Sequence, residues 1–361
     1  ISKLEDQFQC SIDLSVWFGL KNIQEMIHYC IQKKNLLPHE KEGMSDTHFS
    51  LATITPKQKQ ILLFEALNAE SLAYHLPFLM RLDGKVNIHA LRQAFVQLVN
   101  EHQVLRSYFV RKGGDYQVNF FLKDTWQPEI IEAGGDYSEA DFTQSSFEKK
   151  LTDAMGEFSA KAFNTSIDYL IRVKLVHIKG HAFSLGVDEK VVVMLVVHHT
   201  IVDGGSLGVM FQALKEYYQC AIQKAQKTQE HNFYSLYQKS LAVYSAQQKE
   251  FIHQKWKEKI RSKNPFIEWI QNRQNFLWEK KSRHLAFVLD LETSQKLRGF
   301  CQENKFSIFN VLYTAFQSLL MILSGERNFC IHIPVNTRNN IEAHQSLGFW
   351  VKTAILPTMH N

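Results

Sequence analysis

The sequence predicts an α/β protein of two or more domains, and three observations carry that expectation. The chain has 361 residues, 45% of them hydrophobic and 21% charged, a balance that suits a globular chain with a sizeable core rather than a disordered or fibrous one. From His48 onward, segments with strand periodicity alternate with segments of helical periodicity. Finally, Val191 to Val197 is an apolar run without a charge, as expected of a central strand buried on both faces.

The elements follow in order. In residues 1–36, Leu4, Phe8, Ile12, Leu14, Phe18, Ile23, Met26, Ile27 and Ile31 fall in short helical groups, and a polar stretch from Lys33 to Ser45 follows. "HFSLATIT" from His48 and "YHLPFLMRLDG" from Tyr74 read as strands. Val86 to His102 reads as a helix with Ile88, Leu91, Phe95, Leu98, Val99 and His102 on one face. "LRSYFV", "YQVNFF" and Tyr169 to Ile178 return to strand character ahead of the run at Val191. Ser206 is the expected N-cap of a helix carrying Leu207, Met210, Phe211, Leu214 and Tyr217. The polar stretch Gln223 to Asn232 reads as a connection between halves. Beyond it lie helical segments, a strand "HLAFVLDLE", helices from Thr293 and from Ser307 to Leu323, and a strand "FCIHIPV". "MRLDG" before the first helix rhymes with "FVLDLE" before the later one, which hints at a duplicated unit. The chain opens on Ile1 and ends in a strand-like run, so it reads as a piece of something larger.

Several function classes are disfavoured. A net charge of +5 with scattered basic residues does not make a nucleic-acid surface. No apolar run approaches the roughly 20 residues of a membrane span, and no signal series opens the chain, so a cytoplasmic location is expected. Cys10, Cys30, Cys220, Cys301 and Cys330 include no C-x-x-C pair, so free thiols are expected rather than a disulfide framework or a zinc cluster.

Chemistry concentrates in "VVVMLVVHHTIVDGGSLG", Val191 to Gly208. Gly204 to Gly208 satisfy the G-x-S-x-G of a nucleophile elbow, but the elbow needs its serine at the strand end, and "TIVD" intervenes. A carrier attachment serine in "GGSL" would follow a loop, not a buried strand. The favoured reading uses His198, His199, Asp203 and Gly204 together. Adjacent strand side chains point to opposite faces, so one histidine can enter a cavity while the other is structural, and a shared metal ion is disfavoured. Asp203 would fold back to hold the turn and Gly204 would permit tight backbone geometry.

"HHTIVDG" is H-H-x-x-x-D-G, and it resembles the signature of nonribosomal peptide synthetase condensation domains. "TPKQKQILLFEAL" from Thr55, "NEHQVLRSYF" from Asn100, "NFYSLYQKS", "IPVNTRNN" and "LGFWVKT" resemble further family motifs in family order, over about residues 48–357. The first 36 residues resemble the second half of an acyl carrier protein, without its phosphopantetheine-bearing serine. The resemblance implies 1–36 as carrier remnant, 37–47 as linker, 48–225 as one chloramphenicol-acetyltransferase-like lobe and 226–361 as a second, truncated lobe, the two in a V. It implies a tunnel that receives a donor acyl or peptidyl thioester and an acceptor aminoacyl thioester on the phosphopantetheine arms of upstream and downstream carriers, and that joins them into an amide. The chain itself would bind no cofactor or metal. By the same resemblance His199 contacts the amine, as general base or by positioning it. His198 is scaffold, and Asp203 is structural, paired with Arg106 and near Arg338. Gly204 and the helix start at Ser206 offer amides to an oxyanion. Lys352 departs from the usual asparagine. An epimerisation domain shares the signature, but "IPVNTRNN" has the condensation form; a noncatalytic carrier-docking module of the same fold is the other alternative.

Overall fold

The computed structural model describes residues 52–68, 71–82, 84–133, 144–179, 189–225, 228–241, 246–261 and 286–358, together with Glu25 and Tyr29. The carrier-like segment 1–36 and the linker 37–47 therefore lie outside the described residues, those two excepted. The chain forms two compact units: residues 1–242 with 336–350, and residues 243–335 with 351–361. The expected boundary at 225/226 falls inside the first unit.

The first unit is built on a four-stranded sheet in the order β1-β6-β5-β4. β1 (His75–Leu82) pairs antiparallel with β6 (Glu189–His198), in register His75↔His198 to Leu82↔Val191. On its other side β6 runs antiparallel to β5 (Ile171–Lys179), which pairs in parallel with β4 (Glu129–Ala133). β6 is thus central, and its period of two feeds two cores. Val191, Val193, Leu195 and Val197 enter the main core with α2 (Ile88–Glu101) and α4 (Gly204–Gln223). Val192, Met194 and Val196 enter a second core with Leu151 and Met155 of α3 (Gln144–Ala160). Burial on both faces explains the unbroken apolar run. α2 starts from Asn87, whose side chain accepts from the amide of Ala90, and buries Leu91, Phe95, Leu98 and Val99 as expected. β2 (Ser107–Lys112) and β3 (Asp115–Phe120) form a hairpin through Gly113 and Gly114, both at positive φ (59° and 80°), as a two-residue turn between twisted strands requires. α5 (Phe233–Leu241) completes the first stretch of this unit.

Two expected strands are corrected. Residues 52–55 of "HFSLATIT" are irregular; Thr55 is the N-cap of α1 (Pro56–Leu67), with a reciprocal capping box to Gln58 and proline at the first turn. Residues 286–290 of "HLAFVLDLE" form no strand, and Asp290 caps α7 (Leu291–Glu303). The N-cap of α4 is Asp203, and Ser206 is its third helical residue.

The second unit contains α6 (Ala246–Arg261), α7, α8 (Ile308–Ser324) and β7 (Cys330–Asn336) paired with β8 (Val351–Pro357). α8 runs from Ser307 to a left-handed Gly325. Between the two strands the chain contributes 336–350 to the first unit, including the short α9 (Ile341–His344). Among the described residues no single helix is long and apolar enough to cross a membrane.

Candidate active site

β6 ends at His198, and the turn that follows is fixed from several sides. The amide of His198 donates to Leu170 O at 2.9 Å and that of His199 to Tyr74 O at 2.8 Å, so both residues remain tied to the neighbouring strands' ends. The two rings then meet opposite environments. His198 is fully buried, its Nδ1 2.7 Å from Thr200 Oγ1 and its Nε2 2.7 Å from Glu65 Oε1. His199 is partly exposed, and its Nδ1 lies 2.8 Å from Val202 O. A carbonyl oxygen only accepts, so Nδ1 carries the proton and Nε2 keeps a bare lone pair. The Phe349 and His199 rings meet edge-on with their centroids 5.1 Å apart. A bare imidazole nitrogen in a partly open position can accept a proton or hydrogen-bond an amine.

Asp203 is the hub behind the turn and is fully buried. Its carboxylate takes a bidentate pair from Arg338, Nη1 to Oδ2 at 3.0 Å and Nη2 to Oδ1 at 2.8 Å. Oδ1 also accepts from the amide of Ser206 at 2.8 Å and Oδ2 from the amide of Trp350 at 2.9 Å, while the one proton of the Ser206 hydroxyl lies between Oδ1 and Gly348 O, each 2.8 Å away. Four N–H donors on two oxygens occupy the lone pairs it could offer a substrate. Ser206, fully buried, bonds Gly348 through both its carbonyl (2.8 Å) and its amide (3.1 Å), so it is a structural link and not a presented nucleophile.

The structure places Arg106 elsewhere. Its Nη1 donates to Phe121 O at 2.8 Å and its Nη2 pairs with Glu230 at 3.2 Å, so the expected partnership with Asp203 is replaced by Arg338 alone. Burial lowers the Arg106 pKa from its ordinary value, an effect Glu230 opposes. Gly204 is also corrected: a Cβ there would meet nothing within 4 Å, whereas one on Gly205 would lie 2.6 Å from Arg338 Nη1. A side chain at 205 would therefore have to displace the guanidinium that pairs with Asp203. The cap takes the amide of Ser206, so the exposed Gly204 and Gly205 supply the first-turn amides outside it.

Sequence reasoning missed Gln58 and Glu65 of α1. Gln58 Nε2 donates to Thr200 O at 2.9 Å, and Glu65 meets His198 across 133 residues of sequence. The T-P-x-Q pattern marks Gln58 as a capping residue; nothing local marks Glu65.

The profile described as Condensation domain matches residues 50–359. Enniatin synthase of Fusarium equiseti is 24% identical over 303 residues, 82% of this chain but 9% of that protein. Among solved structures, the complex of the X-domain and OxyB from teicoplanin biosynthesis matches with a TM-score of 0.67 at 15% identity, over 87% of this chain and 66% of that one. A structure described as the molecular basis for condensation domain-mediated chain release from the enacyloxin polyketide synthase matches with a TM-score of 0.61 at 18% identity, over 86% and 60%. The chain thus spans less than a tenth of that curated relative's length.

Proposed function

Because the chain belongs to the condensation-domain family, with its α/β chloramphenicol-acetyltransferase-like fold, we propose that it joins a donor acyl or peptidyl thioester to an acceptor aminoacyl thioester as an amide. Both substrates would arrive on the phosphopantetheine arms of carrier proteins in a nonribosomal or hybrid polyketide/peptide synthetase. The observation that carries this reading is the partly exposed His199 ring, held by Val202 O through Nδ1, which makes Nε2 its acceptor nitrogen.

Aminolysis needs few groups. The amine nitrogen attacks the thioester carbonyl carbon, the C–S bond breaks, and the proton lost by nitrogen ends on the departing sulfur. Nε2 of His199 is suited to hydrogen-bond the amine and take that proton as the C–N bond forms. The amides of Gly204 and Gly205 are candidates to stabilise the oxyanion. Holding two tethered reactants together can supply roughly 7–11 kcal/mol of the barrier, which limits what the imidazole must contribute. Asp203, Arg338 and His198 support the turn.

The test supplies the full chain with an octanoyl-loaded donor carrier and a glycyl-loaded acceptor carrier and follows the amide by intact mass. His199→Ala should lose roughly 10²- to 10⁴-fold in rate with an unchanged melting temperature. Wild-type rates in that variant would reject the catalytic assignment. The likeness to the X-domain, described in complex with OxyB, supports a second reading as a docking module of the same fold. That reading expects carrier binding without product. Deuterium uptake at the donor α-carbon in heavy water would instead indicate epimerisation.

A further inference from the structure

α1 packs against the turn that presents His199, and it does so through two side chains. Gln58 and Glu65 are seven residues apart, two helical turns, and so share one face. Gln58, fully buried, donates its Nε2 to Thr200 O at 2.9 Å, and Glu65 Oε1 lies 2.7 Å from His198 Nε2. Helix and turn are therefore joined at 198 and at 200, the residues on either side of His199.

The contact at His198 has a direction. The backbone amide of Thr200 points at His198 Nδ1 from 3.3 Å, and an amide N–H cannot accept, so Nδ1 is the unprotonated nitrogen; its one lone pair faces the Thr200 hydroxyl at 2.7 Å, with the amide the longer contact. The ring proton is then on Nε2 and is donated to Glu65. The Phe163 and His75 rings stand edge-on to His198 at 5.8 and 6.0 Å, and the Glu65 side chain is only 15% exposed. Removing the carboxylate would strand a buried N–H with little water to replace its partner. The ring would relieve this by moving its proton to Nδ1. There the proton would face the amide of Thr200 and push against the segment that carries His199.

We propose that Glu65 is a positioning residue: by accepting the His198 Nε2 proton it fixes the tautomer of the buried ring and, through the backbone of 198–200, the placement of the His199 imidazole. The effect on rate rests on the condensation reading; the effect on the two rings does not.

The test uses the full chain carrying ¹⁵N-histidine, with Glu65→Leu, which removes the acceptor, and Glu65→Gln, whose amide oxygen can accept the same proton. In the wild type, His198 should show a protonated Nε2 and a bare Nδ1, and Glu65→Gln should keep that pattern. Glu65→Leu should mix the two tautomers at His198 and shift the His199 signals. With loaded carriers, Glu65→Leu should lose roughly 10- to 100-fold in kcat at unchanged KM for both carriers, and Glu65→Gln should restore most of the rate. Should Glu65→Leu fail to fold, Glu65→Asp, one methylene short of His198, should give the same signature. Wild-type histidine signals in Glu65→Leu, or equal rate losses in the leucine and glutamine variants, would overturn the proposal. A wild type that forms no amide would sink the condensation reading, and the imidazole signals would still decide the coupling.

Discussion

At the scale of single residues, neighbouring histidines receive opposite environments because the strand ends between them: His198 closes β6 and points into protein, while His199 belongs to the turn. The glycines show the same dependence on place. Gly348 has φ at +151°, and a Cβ would fall 2.0 Å from Phe233 Cδ2, so Gly348→Ala should cost about 1–3 kcal/mol or more through overpacking and strain. Gly204→Ala, in open space, should stay within about 0.5 kcal/mol; urea denaturation of both variants measures the difference, and equal losses would contradict this packing. Arg338→Ala should be worse, about 3–5 kcal/mol, since it leaves Asp203 charged, fully buried and unpaired. Arg106→Ala should cost less, because its partner Glu230 is half exposed. The H-H-x-x-x-D-G signature made His198, His199 and Asp203 legible as one turn, and the family resemblance put Arg338 near Asp203, where the two pair. It misplaced Arg106, because an arginine's partner is set by tertiary approach and Glu230 sits in a stretch with no periodicity to locate it.

At the scale of elements, periodicity served where one face of an element is buried. α2 and β6 were readable for that reason; ahead of α1, alternating apolar residues suggest a strand as far as Thr55, the residue at which Thr-Pro-x-Gln starts the helix. In "HLAFVLDLE" alternation misled again: Phe287 and Val288 are 82% and 95% exposed, so no pleated face is buried to reward strand pairing. The end of α2 carries a pH response. His102 is buried and stacked on His231 at 4.5 Å, and burial, with that second ring, pushes its pKa down to about 3. In the unfolded chain an imidazole titrates near ~6.5. Above that pH neither state is protonated and the group is neutral to stability. Below it the unfolded chain binds a proton that the fold excludes, so stability falls as pH drops from about 6.5 toward 3, by up to about 1.4 kcal/mol per pH unit. Urea midpoints at pH 7 and pH 5 should differ less in His102→Leu than in the wild type; an unchanged difference would reject the assignment.

At the scale of the molecule, the two units are unequally consolidated. The first has an apolar core on each face of its sheet. In the second, Cys301, Phe329 and Thr358 are the buried residues among those described, while Phe316, Leu319, Ile322 and Leu323 of α8 are half exposed or more. Unfolding should therefore proceed in two steps, with amides of α6 and α8 exchanging with deuterium before those of β6. Simultaneous protection loss by mass spectrometry would contradict this. Composition and motif order made the α/β class and the family legible, but not the return of 336–350 to the first unit, which depends on pairings between residues far apart in sequence.

That return carries a consequence for biosynthesis. The amide of Trp350 closes on Asp203 across 147 residues of sequence. At about 5–20 residues per second a ribosome needs roughly 7–30 s to cover that distance. Over most of that interval the nascent first unit holds the Asp203 carboxylate without the Arg338 guanidinium and the Trp350 amide, with the Ser206 amide as an early partner. The hub behind the histidine turn can be completed only after residue 350 has been translated, so a product terminated before that point would leave Asp203 without the Trp350 amide.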